Sequence, residues 1–285
     1  MLLAIRLASI GDDMTEFLET AEGTLAYQVT GDGPLVVCSP GMGDLRSTFD
    51  NITPALVEAG YRVAAMDIRG LGESSAGWRR YGDSATATDI LALAKHLSDR
   101  PAILFGNSCS AGAAVIAARQ DPAAVAALVL TGPFALTRSI SLVDKATAAV
   151  FGIPGIGRMG WLAYWPKFFG TKPADFEARR LELKRNLAES GRFAAVHAIF
   201  YEDHSEADDA LVGVHHPALI VMGDADPDFA DPVDQAKRIA ARHPGPNQVV
   251  IVPGAGHYPH SERVDLVAPA VVEFLNSLDR TPCPE

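Results

Sequence analysis

Ser108 stands where an apolar run, Ala102 to Phe105, gives way to small and polar residues and a small-residue helical pattern begins at once. A buried strand that turns so sharply into a helix cannot hide its apex hydroxyl among neighbours. Strand and helix then lie so close that the positions two before and two after the apex must be small. Gly106 and Ser110 meet that demand, although the usual string has glycine where Ser110 stands. By itself the string also describes a buried turn whose polar residues cap a helix. A serine hydroxyl must lose its proton as it attacks. Nucleophilic chemistry therefore needs a histidine to take the proton and a carboxylate to orient that histidine and stabilise its charged form. Two later stretches offer such partners. The run Leu219 to Met222 ends in Gly223-Asp224-Ala225-Asp226-Pro227-Asp228, and Gln248 to Val252 ends in Pro253-Gly254-Ala255-Gly256-His257-Tyr258-Pro259-His260. Serine, carboxylate and imidazole follow in that chain order, each just past a strand, at the edge where parallel sheets place ligands.

The elements that position these residues read as an alternation. Strands are expected at Thr24 to Val29, Leu35 to Cys38, Tyr61 to Met66, Pro101 to Phe105, Val125 to Leu130, and at the two later runs. Helices are expected at Thr53 to Ala59, Ala85 to Leu97, from the turn to about Arg119, at Asp231 to Ala241 and at Val264 to Leu278. Strands that are continuous apolar runs alternating with helices point to an α/β fold with a mostly parallel, doubly wound sheet. From about Phe134 to Val214 helical patterns run without strands and aromatics are dense, including Trp161 and Trp165. We read residues 134–213 as a helical cap inserted into one core, 15–133 and 214–285, with residues 1–14 as an N-terminal extension.

The bulk composition narrows the partners. An apolar share of 48% and a charged share of 21% describe a globular chain able to bury a core. The 24 basic and 35 acidic residues give a net charge of −11, which argues against nucleic acid. Cys38, Cys109 and Cys283 form no disulfide framework, so a reduced, cytoplasmic setting is expected. No run approaches the roughly 18 apolar residues of a membrane span, and the first ten residues lack the pattern of a signal peptide.

Four stretches resemble the α/β-hydrolase fold superfamily in its capped, serine-nucleophile branch. Gly106-Asn107-Ser108-Cys109-Ser110 resembles its nucleophile elbow, and Asp67-Ile68-Arg69-Gly70-Leu71-Gly72-Glu73-Ser74 its D-x-R-G-x-G-x-S loop. Gly223-Asp224-Ala225-Asp226 is similar to its acid turn and Gly256-His257 to its histidine loop. The resemblance implies Ser108 as nucleophile, Asp226 as acid and His257 as base. It also implies an oxyanion hole from the backbone N–H groups of Met42 and Cys109, with Pro40 where the family often has histidine. The implied activity is hydrolysis of a small acyl substrate, an ester first, without a cofactor. Carbon–carbon or lactone hydrolysis, cofactor-free perhydrolysis of the haloperoxidase kind, and a non-catalytic binding protein on the same fold are the alternatives.

Competing residues are read as follows. Ser110 belongs in the first turn of the helix, Asp224 is a turn or cap residue, Asp228 is solvated, and His260 is a surface or capping residue. Asp67 and Arg69 tie loops together beneath the site. Trp161, Trp165 and Tyr258 are the expected lining of an apolar pocket over Ser108, and Trp78 lies at its mouth or on the surface. His197, His204, His215 and His216 lack metal-ligand spacing.

Overall fold

The protein is described from a computed structural model that covers residues 14–136, 153, 155–201 and 204–278. The expected extension therefore lies, but for Met14, outside the described residues. The strands are β1 (Glu16–Glu19), β2 (Thr24–Thr30), β3 (Leu35–Ser39), β4 (Arg62–Met66), β5 (Ala102–Asn107), β6 (Val125–Thr131), β7 (Ala218–Gly223) and β8 (Asn247–Val252). They form one sheet in the order β1-β2-β4-β3-β5-β6-β7-β8. The β1–β2 and β2–β4 pairs are antiparallel, and every pair from β4 onward is parallel. β1 was not expected, because Glu16-Phe17-Leu18-Glu19 is short and mostly exposed at the sheet edge.

Side-chain alternation splits the strands between two cores. Val37, Leu104, Leu128, Leu130 and Ile220 pack on one face against α2 (Asp83–Leu97) and α3 (Cys109–Gln120). Val36, Phe105, Val129, Leu219 and Val221 pack on the other against α1 (Thr53–Glu58) and the closing helix. Each fully buried side chain of this size contributes about 1.5–3 kcal/mol, so the central strands are fixed from both sides. Continuous apolar runs were the sequence mark of that double burial.

Between β6 and β7 the described elements are all helical: α4 (Ile156–Tyr164), a 3-10 turn Trp165–Phe168, α5 (Phe176–Asn186), α6 (Arg192–Phe200) and α7 (Ser205–Leu211). After β7 come α8 (Pro232–Arg242), a short α9 (Pro259–Glu262) and α10 (Val264–Leu278). None of the described helices is long and apolar enough to cross a membrane.

The loop after β4 is built around a buried ion pair. Arg69 donates to both oxygens of Asp89 at 2.7 Å and to the carbonyls of Arg80 and Ala85. Its guanidinium lies 4.5 Å from the ring centroid of Trp78, which is buried and not at a pocket mouth or on the surface. Asp89, midway along α2, is held by this pair. Asp67 accepts from Arg46 and from the N–H groups of Arg46 and Glu73, so both residues tie loops together as expected. Replacing Arg69 by leucine strands the Asp89 carboxylate in the interior. We expect Arg69→Leu to lose about 3–5 kcal/mol of stability in urea unfolding at neutral pH; a loss below about 1 kcal/mol would show the pair to be dispensable.

Candidate active site

Ser108 is the one non-glycine residue among those described with positive φ, at φ 59° and ψ −126°. Such a conformation costs about 1–3 kcal/mol and persists only where neighbours over-determine it. Here the Ser108 N–H donates to Thr131 O at 2.9 Å, and Ser108 O accepts from Ala111 N at 3.0 Å and Phe134 N at 3.2 Å. A Cβ on Gly106 would lie 2.3 Å from the Ser110 carbonyl oxygen, which is the crowding inferred from the sequence.

Ser110 falls in the first turn of α3 and is fully buried. Its hydroxyl donates to Pro40 O at 2.6 Å and accepts from Ser39 Oγ at 3.0 Å. The residue that departs from the usual glycine thus holds the loop that departs from the usual histidine. A Cβ on Gly41 would come within 2.8 Å of Ser108 Cβ, so this loop passes directly over the turn. Burial, then the Asp83 charge, push the Cys109 thiol up to about 12, against the N–H groups of Met42, Ser110 and Cys109 that face its sulfur. The Met42 N–H therefore lies beside Cys109, whose own N–H opens a helix and has no partner within it.

His257 Nδ1 lies 2.8 Å from Asp226 Oδ2, both side chains buried. The imidazole is fixed through its backbone: its N–H donates to Phe168 O at 2.7 Å and its carbonyl accepts from Asn107 Nδ2 at 3.1 Å. Asn107 precedes Ser108, so one side chain links the turn to the histidine loop. Phe134 makes a second link, with its N–H on Ser108 O and its ring 5.8 Å from the imidazole. The Glu262 carboxylate accepts from Gly256 N and Tyr258 N, bracketing His257. Asp226 Oδ1 accepts from Asp228 N at 3.0 Å, and Asp228 Oδ2 stands 3.7 Å from His257 Nε2. Burial presses the His257 pKa down, but the charges of Asp226, Asp228 and Glu262 and the Asp226 hydrogen bond together outweigh it and hold the pKa at about 9.

Two expectations change at this point. Asp228 is not simply solvated; it faces the second imidazole nitrogen. His260 is not at the surface but fully buried, stacked 4.8 Å from Phe49 between the hydroxyls of Thr48 and Thr131. Burial holds it well below its ordinary pKa, so it stays neutral. An imidazole of ordinary pKa titrates at about 6.5; His257 is shifted upward by its carboxylates. Asp224 is a turn residue as expected, accepting from Gly254 N at 2.7 Å.

Asp226, Asp228 and His257 bring donor atoms within 4.8 Å of one another. Nδ1 and Asp226 are engaged with each other, and Asp226 Oδ1 with the Asp228 N–H, so the contacts are those of a proton-handling set. His204 pairs with Asp83 at 2.8 Å and His216 with the Pro122 carbonyl. The aromatics expected at a pocket pack as one cluster: Trp165 stacks on Phe176 and Tyr258 on Phe169, both closed off from solvent, while Trp161 donates to Gly43 O beside Met42.

Residues 36–270 match the family described as the Alpha/beta hydrolase family. The chain belongs to this family. It is 29% identical over 266 residues to the dihydrolipoyllysine-residue acetyltransferase component of an acetoin cleaving system from Pseudomonas putida, covering 87% of this chain and 65% of that one. It is 27% identical to the 2-(acetamidomethylene)succinate hydrolase of Mesorhizobium japonicum, over 89% and 92% of the two chains. The chain spans 13–65% of the length of several other curated relatives and of the first of these. Among solved structures it superposes on a hydrolase from Pseudomonas aeruginosa PA01 with a TM-score of 0.74, 25% identity, and coverage of 92% and 98%.

Within this α/β hydrolase, sequence reasoning passed over Asn107, Phe134, Glu262 and Arg179. Pro259 at a helix start with Glu262 three residues on was a legible cap signal; Asn107 was legible only by its place beside Ser108. Arg179 carries no motif in the sequence beyond its basic neighbour Arg180. It is buried on α5 and donates to Asp44, Thr48 and Ser261, joining the helical segment to the loops of Met42 and His257. Ser110→Ala would leave the Pro40 carbonyl and Ser39 hydroxyl buried without that partner. We expect it to cost about 1–3 kcal/mol in urea unfolding; an unchanged midpoint would show the loop to be held by other contacts.

Proposed function

We propose that the protein is a serine hydrolase that cleaves an ester or related small acyl substrate through an acyl-enzyme. The observation that carries this reading is the left-handed Ser108 turn, tied through Asn107 and Phe134 to a buried His257–Asp226 pair. Ser108 Oγ attacks the acyl carbon while His257 Nε2 takes its proton, and the N–H groups of Met42 and Cys109 stabilise the oxyanion. The imidazolium returns the proton to the leaving group, the acyl–oxygen bond breaks, and the acyl group stays on Ser108. Water then attacks with His257 again as base and frees the acid. Asp226 keeps Nδ1 protonated and the ring oriented throughout. A serine nucleophile separates the reading from aspartate-dependent epoxide opening, although epoxide hydrolases share the fold. The helices described between β6 and β7 serve as a cap whose aromatic cluster seats it over the site, and a cytoplasmic setting suits the chain's buried free thiols. Hydrolase activity in the Mesorhizobium japonicum relative supports the reaction class.

The experiment is labelling with a fluorophosphonate and turnover of acyl esters of graded chain length. Ser108→Ala should lose labelling and lower turnover by on the order of 10⁴-fold or more, whereas folded Ser110→Ala should still label. Persistent labelling of Ser108→Ala would overturn the assignment.

The pH dependence has a definite sign. A base must be neutral to accept the Ser108 proton, so turnover should rise as pH climbs through about 9. Stability runs the other way. A raised folded-state pKa stabilises fully below the unfolded value of about 6.5 and is lost as pH rises through about 9. A rate midpoint at 6–7 with flat stability across pH 7–9 would contradict the shifted imidazole.

A further inference from the structure

Nε2 of His257, the atom that must accept the Ser108 proton, already faces a charged group. Asp226 Oδ2 sits 2.8 Å from Nδ1 and Asp228 Oδ2 3.7 Å from Nε2, so two carboxylates flank opposite nitrogens of one ring. The spacing is built into the chain. Asp226 Oδ1 accepts the Asp228 N–H at 3.0 Å, an Asx-turn with Pro227 at its centre, which holds both carboxylates on the same loop face. We propose that Asp228 is a positioning residue for proton transfer, pairing with the protonated Nε2 of His257 and so setting the pH range in which Ser108 is activated. The proposal rests on the triad reading above and adds a residue to it.

The physical argument concerns the two protonation states. When the imidazole is charged, it gains from both carboxylates. When it is neutral, Nδ1–H still serves Asp226, but the Nε2 lone pair is turned toward the Asp228 charge. Asp228 therefore withholds the base at neutral pH, and once the base is free it stabilises the imidazolium that forms as Ser108 gives up its proton. The proton passes only between Ser108, His257 and the leaving group. Among the other described groups at the ring, Tyr258 places its ring 5.4 Å from the imidazole, and burial pushes its hydroxyl well above the ordinary range. Glu262 is bound to the N–H groups of Gly256, Tyr258 and Thr171, and His260 is buried and neutral. Phe134 and Phe168 place their rings 5.8 and 5.4 Å from the imidazole. Asp226 and Asp228 differ in exposure: the first side chain is closed off, the second about one-fifth exposed, open to exchange with solvent and salt.

The test uses Asp228→Asn, which keeps the shape and the backbone turn, with Asp228→Glu as the charge-retaining control. The His257 imidazole is titrated by NMR in Ser108→Ala and in Ser108→Ala/Asp228→Asn, and the rate of fluorophosphonate labelling is followed against pH with Ser108 present. We expect Asp228→Asn to lower both midpoints by about one unit or more and to reduce the alkaline labelling plateau several-fold, as a weaker base does. Asp228→Glu should keep most of the raised midpoint. An NMR midpoint unmoved in Asp228→Asn would overturn the proposal even with Ser108 confirmed as the labelled residue. Labelling that survives Ser108→Ala would instead overturn the triad, with the NMR shift still reporting the Asp228–His257 pair.

Discussion

The conformation of Ser108 is the constraint on which the site depends. A non-glycine residue at φ 59° is stable only inside a frame that leaves it no alternative. β5 delivers the chain to the turn, β6 supplies the Thr131 carbonyl, and the chain beyond β6 returns the Phe134 N–H. Gly106 permits the strand and helix to close, and Ser110 turns the same closeness into two hydrogen bonds on the loop above. The central parallel strands, buried on both faces, are what make this frame stiff.

A second demand follows from the first. An apex hydroxyl is only a weak nucleophile until a base is held beside it, and holding a base in the protein interior brings buried charge. Asp226, Asp228 and Glu262 surround His257 with carboxylate, and the imidazole answers by staying protonated to about pH 9. The same principle governs the helical segment. Arg179 is buried with Asp44, Thr48 and Ser261 around it, so the segment cannot move from the core without uncovering a paired charge. Asn107 pays for its link to His257 in another way: its Oδ1 is buried and unpartnered.

Local patterns made most of this legible in the sequence. The alternation of apolar runs and helices predicted the sheet because burial on both faces leaves a compositional trace. Val264–Leu278 emerged with the bounds expected. Small residues around Ser108 and the order of serine, acid and histidine singled out Ser108, Asp226 and His257, since each follows a strand. What escaped was set by tertiary contact. Edge strand β1 buries too little to leave a pattern. Asp228 reads as one more acid in an acidic turn until the fold brings Nε2 to it. His260 reads as a surface residue until Phe49, Phe105 and two threonines enclose it. Trp78 belongs with these, because only the fold puts Arg69 across its ring.

An acyl group held covalently on Ser108 is the central claim, and trapping it is the most direct measurement. A slowly hydrolysed aryl ester is reacted with the protein, quenched in acid, and the peptides are mapped by mass spectrometry. The account predicts one acyl increment, carried by Ser108 and absent from Ser108→Ala. Steady turnover with no adduct at any quench time, or an adduct on Ser110 or Asp226, would contradict it.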